Sequence, residues 1–346
     1  MKSISINFEK LTCVSVLRQC ANDKGWHVNE ASPVPGRTPV HVTQAQDTLY
    51  VPELKLQIVD ERIVPEEVIH GPWTLDFERE RDFQGRMATY RAPFEVAYSG
   101  DEVCILSNSY SANFFHWITE ELVKVVILEE NGFRGRYVLA GLPRFAFEFM
   151  RLLGVADERI ISSVDKPTMY RSAAFVTTID ENNALDYPEV YLFLRDRILG
   201  IASTDQQTFS RRVWMARGVG TREGRCEVVN AEEINSVLAR HAFDIIDMAS
   251  LPLHMQIAVS RDAEILAGPH GAAFVHTLFM RPKSMVLECF SPLFINPSIF
   301  NICRIMQHKY SMLVHQNVFG GYPYGEALRV NCSHLELVLQ GLPNGD

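Results

Sequence analysis

The sequence predicts an α/β protein made of two doubly wound halves in series, preceded by a β- and loop-rich amino-terminal extension. Three observations carry this reading. Short apolar runs alternate with helix-length segments from Glu102 onward. The alternation breaks at the polar stretch Ser203-Thr204-Asp205-Gln206-Gln207-Thr208 and restarts at Arg212. Residues 264–289 then read as strand, glycine-containing turn, helix and strand. A chain of 346 residues exceeds one ordinary core, so two domains are the default. Their expected limits are 1–204, with 1–95 as the extension, and 205–346.

Residues 1–100 are rich in proline (Pro33, Pro35, Pro39, Pro52, Pro65, Pro72 and Pro93) and poor in helix-length periods, so they read as short strands and loops. Val51 to Val64 alternates at Leu54, Leu56 and Ile58, which suggests β structure, and no chemistry is visible there. Val103 to Leu106 is a strand. Phe114 to Glu130 follows with helical spacing at Phe114, Ile118, Leu122 and Val125. Strands at Tyr137 to Ala140, Arg159 to Ser162 and Ala174 to Thr177 frame helices at Arg144 to Leu153 and Glu189 to Gly200.

In the second half Arg212 to Arg217 is a strand. Asn230 with Glu233 three residues on has the form of a helix N-cap, and Ile234, Val237 and Leu238 continue the apolar face. Phe243 to Asp247 is a strand, Leu253 to Arg261 a helix after Pro252. The last helix, Ser333 to Leu339, is free to pack back on the first half.

Composition bounds the function. With 47% hydrophobic and 22% charged residues the chain is that of a soluble globular protein. A net charge of −9 argues against a nucleic-acid surface. The seven cysteines (13, 20, 104, 226, 289, 303 and 332) are odd in number and scattered, as reduced core thiols are. No signal-peptide or membrane-spanning run is visible, so a cytoplasmic location is expected. A lipid-borne substrate would bring the protein to the inner face of the membrane. Oligomeric state is not legible.

The most informative chemistry lies in Gly268-Pro269-His270-Gly271-Ala272. This turn falls at the carboxyl end of a parallel strand, where open α/β sheets bind ligands. The helix start at Gly271 and Ala272 offers unpaired N–H groups and a positive dipole end, and His270 adds a donor, so a phosphate-bearing ligand is expected. Arg217, Arg222 and Arg225, in a loop with Gly218, Gly220 and Gly224, suit diphosphate oxygens; the alternative is a solvated basic loop. Glu288 ends the next strand and suits ribose hydroxyls, or is a surface carboxylate at a turn.

In the first half His116 and Glu120 lie four apart at a strand-to-helix junction. They share a helix face, and a carboxylate there would hold the imidazole in one tautomer, as a general base needs; the alternative is a packed core histidine. No cluster with metal-ligand spacing and no Asp-x-Asp occurs, so neither metal nor cofactor is expected. Dinucleotide, serine-hydrolase and P-loop signatures are absent too.

Together these segments resemble the glycosyltransferase 61 family (the DUF563 group), in its bacterial type. The likeness rests on Phe115-His116-Trp117 with Glu120, on Arg217, Arg222 and Arg225 before Asn230 to Glu233, on Gln256, on Gly268 to Ala272, and on Val286-Leu287-Glu288. It spans roughly residues 95–315. Members usually carry Asn where His276 stands and Pro where Val123 stands, which marks His276 as a donor-sugar contact.

The resemblance implies a GT-B architecture, two Rossmann-like domains facing across a cleft. It also implies inverting, metal-independent transfer from a nucleotide sugar, with UDP as the family-level expectation. His116, held by Glu120, would be the base, with Glu121 or an acid from the amino-terminal region as the alternative. Arg217, Arg222, Arg225, His270, Gly271 and Ala272 would bind the diphosphate, and Glu288 the nucleoside. The acceptor would be a glycan or lipid-linked glycan in capsule, exopolysaccharide or lipopolysaccharide synthesis. Two other readings fit the residues alone: a non-catalytic nucleotide- or sugar-binding subunit, and a sugar-phosphate isomerase or epimerase.

Overall fold

The computed structural model describes residues 3–4, 24–25, 41–59, 62–63, 94–108, 110–176, 179, 184–202, 209–216, 228–292, 295–317 and 328–341. The polar stretch 203–208 lies outside them. The chain divides into two compact units, Met1–Val190 and Tyr191–Asp346.

The first unit is built on a mixed sheet. Its parallel part runs Thr168–Val176, Ala97–Ile105, Arg136–Val138 and Ile160–Ile161 across the sheet. In chain order these are the fourth, first, second and third strands. The order therefore reverses between Ala97–Ile105 and Thr168–Val176, at the kind of switch point where α/β sheets open a crevice. The antiparallel part begins with His41–Val51, paired to Thr168–Val176, and continues through Leu56–Val59 and Arg62–Ile63.

His41–Val51 is an eleven-residue strand inside a region read as short strands and loops. Its alternation is broken at Asp47, whose φ of 48° is left-handed, and it is buried continuously from Thr48 to Val51. A strand buried on both faces has no period-two signature to read. Tyr50, Val103, Val138, Tyr170 and Ala173 meet in its core.

The second unit carries five parallel strands in the order Asp244–Ile246, Arg212–Met215, Ile265–Pro269, Met285–Phe290, Lys309–Val314. That is 2-1-3-4-5, a doubly wound order whose switch point falls between the first and third strands. Trp214, Ala267, Leu287 and Cys289 share one core with the helices Ala231–Arg240 and Cys332–Gln340. The final helix, expected to pack on the first half, thus buries Leu335 and Leu339 in its own unit.

Two local expectations are refined. Asn230 holds the N-cap position of its helix, but its side chain caps no helix N–H: its amide donates to Val330 O at 2.9 Å and its Oδ1 accepts from Val330 N at 3.0 Å, clamping the segment that precedes the final helix. The segment expected as an α-helix after Gly271 is a 3-10 helix, Ala272–Phe279. A 3-10 helix rises about 2.0 Å per residue against about 1.5 Å, so eight residues cross further between two strands. Burial of Phe274 through Met280 on every side removes the need for an amphipathic α-helical face.

Candidate active site

Each unit places a histidine on a buried carboxylate at the carboxyl edge of its parallel strands. In the first unit the strand Ala97–Ile105 runs into a polar loop that folds on itself. Ser111 Oγ donates to Leu106 O at 2.5 Å, and Asn108 Oδ1 accepts from the N–H groups of Tyr110 and Ser111. Asn113 Oδ1 then accepts from Phe115 N at 2.9 Å and starts the helix. The helix widens at once into a π-helical turn, Trp117–Glu121, before resuming as Leu122–Glu130. Turns of this kind gather at functional sites because they re-aim neighbouring side chains.

Within that turn His116 Nδ1 lies 2.5 Å from Glu120 Oε1, with the imidazole 26% exposed and the carboxylate 3%. The expected pair is therefore in place. A carboxylate on Nδ1 fixes the tautomer that leaves proton chemistry to Nε2. The Tyr110 ring lies 5.2 Å from the imidazole. Glu121, the neighbouring acid, is committed elsewhere: it is buried, accepts from Asn108 Nδ2 and takes Lys124 Nζ at 3.0 and 3.1 Å. Nothing in the sequence pattern marked the Asn108–Glu121–Lys124 group, because Lys124 reads as an ordinary helix-surface lysine.

In the second unit the backbone of His270 extends the sheet ladder, its N–H donating to Cys289 O at 2.8 Å. Its ring stacks on Phe290 at 4.7 Å, and Nδ1 lies 2.5 Å from Glu288 Oε1. Glu288 is not at a strand end. It lies inside Met285–Phe290 and is fully buried, and its second oxygen accepts from the Tyr310 hydroxyl at 2.8 Å. Both of its oxygens have partners within the unit, His270 and Tyr310. Burial and the adjacent carboxylate push the Tyr310 hydroxyl well up, so it stays a donor. Tyr310 has no sequence motif to announce it.

Gly268 takes φ +154°, and a Cβ there would stand 2.7 Å from Met215 O. Only glycine lets the His270 strand lie this close to the strand Arg212–Met215. Gly271 is extended, with φ 168° and ψ 172°, and leads into Ala272. Arg217, Arg222 and Arg225 lie outside the described residues. The strand Arg212–Met215, which precedes them in the chain, is the immediate neighbour of the His270 strand across the switch point.

His276 is 1% exposed and sits in the core, where its Nε2 meets Gln256 Oε1 at 3.0 Å. Burial lowers its pKa to about 3, which keeps the ring neutral. Cys104, Cys289 and Cys303 are buried free thiols, the core role expected of them. Among the described residues no helix is long and apolar enough to cross a membrane.

A family model, Glycosyltransferase 61, matches residues 114–287, just over half of the chain. The match opens on the first residue of the His116 helix and closes one residue before Glu288. No curated protein matches the chain.

Proposed function

This chain belongs to the glycosyltransferase 61 family and is a glycosyltransferase; from that premise we propose that it moves a sugar from a nucleoside-diphosphate donor, a UDP-sugar, to a glycan acceptor with inversion and without a metal. The observation that carries the mechanism is the His116–Glu120 pair, a partly exposed imidazole on a buried carboxylate at the carboxyl edge of a parallel strand. His116 takes the proton from an acceptor hydroxyl. That oxygen attacks the anomeric carbon from the face opposite the diphosphate, and the bond from carbon to the diphosphate oxygen breaks as the new one forms.

The electron pair moves onto the leaving diphosphate. Arg217, Arg222, Arg225, the His270 imidazole and the amides of Gly271 and Ala272 offset the charge there. In this reading Glu288 and Tyr310 orient His270 in place of a ribose contact. The two strand orders, each with a switch point beside a histidine, support a GT-B class of enzyme. The acceptor is a growing or lipid-linked polysaccharide, of the capsule, exopolysaccharide or lipopolysaccharide kind, met at the inner face of the membrane.

The test is a thermal-shift screen against UDP, GDP, CDP, CMP and ADP, each with EDTA and with Mn²⁺. A ligand that saturates the native state raises the melting temperature by mass action. A shift with UDP that survives EDTA is the expected result. A shift only with Mn²⁺ overturns metal independence, and no shift with any nucleotide overturns the donor assignment.

A further inference from the structure

We propose that an open cavity in the first unit, walled by Glu53, Lys55, Ser163 and Asp165, binds a sugar ring of the acceptor. The proposal rests on the glycosyltransferase reading above. The cavity holds about 330 Å³ and sits where the strands Arg136–Val138 and Ile160–Ile161 deliver their carboxyl ends, at Ala140 to Gly141 and Ser163 to Asp165. Its remaining wall is the turn Pro52 to Lys55, from the region whose sequence shows no chemistry. The volume is at the small end for ligand sites and suits one ring rather than a nucleotide sugar.

Its lining selects for hydroxyl groups. Two carboxylates accept only, an ammonium donates only, and a serine hydroxyl does both. Sugar hydroxyls each donate and accept, so neighbouring ones satisfy such a mixed set. Among the described residues the lining carries two acids and one base, a balance that disfavours a phosphate, and no aromatic ring on which a nucleobase could stack.

The cavity is tied to the loop that carries His116 from two directions. Ser107 Oγ donates to Ala140 O, on the cavity wall, at 2.5 Å. Lys55 Nζ donates to Asn108 O at 3.2 Å, and the Asn108 amide binds Glu121, next to the acid that holds His116. Lys55 reaches there with its backbone at φ 53°, a left-handed conformation that costs a non-glycine residue energy. The turn closes on itself through Lys55 N to Pro52 O at 3.2 Å. A strained lysine, held between cavity and base loop, is how a sugar seated in the cavity would be coupled to the loop that carries His116.

The test uses the full chain and the methyl pyranosides of glucose, galactose, mannose, xylose and N-acetylglucosamine, followed by saturation-transfer NMR with and without saturating UDP. At least one pyranoside should bind in both conditions. Ser163→Phe, which fills the cavity from an exposed position, and the Glu53→Gln/Asp165→Asn pair should each weaken that binding at least about tenfold. Their melting temperatures and UDP affinity should match the wild type. Absence of any pyranoside signal, or binding that survives Ser163→Phe, overturns the proposal. The UDP titration separates the two readings: UDP binding without cavity-dependent pyranoside binding sinks the cavity alone, whereas cavity-dependent binding without any nucleotide sinks the donor assignment and leaves the saccharide site standing.

Discussion

The carboxylate of Glu288 lies 2.5 Å from Nδ1 of His270 and is itself fully buried. A buried carboxylate needs partners for both oxygens, and Tyr310 supplies the second at 2.8 Å. The imidazole therefore cannot swing or flip without abandoning a desolvated charge. Glu288→Gln is expected to weaken UDP binding by roughly tenfold or more, since a hydrogen bond to a charged group is worth about 1.5–3 kcal/mol. Tyr310→Phe should weaken it less, with the fold retained. Isothermal titration of both variants checks this; affinities equal to wild type would mean that the pair serves packing alone.

The His116–Glu120 pair makes a different prediction, because it is assigned to the chemical step. His116→Ala should lower kcat by about 10²–10⁴-fold, the usual worth of a positioned general base, while UDP affinity stays unchanged. Glu120→Gln should give a smaller loss and shift the pH profile of kcat. Steady-state kinetics alongside UDP titration separates the two sites. Full activity in His116→Ala would hand the proton transfer to another group.

These residues show what the sequence could and could not disclose. A four-residue spacing on a helix is a geometric statement, so His116 and Glu120 could be paired before any coordinates. The βαβ order around Gly268 was equally legible, because strand ends and glycine turns have local signatures. Glu288 was misplaced for a reason of length. The visible apolar run stopped at Leu287, yet the strand continues through Glu288 to Phe290. A buried charge looks like a strand end when its partner, Tyr310, lies on another strand. Asn230 holds the N-cap position that its local motif indicates, but its side-chain partner Val330 lies 100 positions away, where a motif spanning four residues cannot see it. His276 stands out by its departure from a family pattern, and its burial has no local signature in the sequence.

Gly268→Ala should be costly. A methyl group would meet Met215 O at 2.7 Å on a backbone at φ +154° that side-chain-bearing residues rarely adopt. Strain and overpacking together are expected to cost about 2 kcal/mol or more. Because the displaced strands flank the switch point, UDP binding should fall with stability. Thermal unfolding and UDP titration of the variant check both. A melting temperature equal to wild type would show that the two strands separate more easily than their register suggests.

Acid stability gives the last prediction. His276 has a pKa lowered to about 3 by burial, against 6.5 for an ordinary histidine. The native ring stays neutral while the unfolded chain takes up a proton as pH falls through 6.5, so stability is full above that value and is lost progressively below it. Between pH 6.5 and 5 the loss approaches one proton, or about 1.4 kcal/mol, per pH unit. His308 and His315, also lowered by burial, act in the same direction. His276→Asn removes one titration and leaves the other two. The variant should lose less stability than wild type on going from pH 7.5 to 5, above the carboxylate range. Urea unfolding at pH 7.5, 6 and 5 measures the difference, and curves that stay parallel would show that His276 is protonated in the folded protein or reached by water.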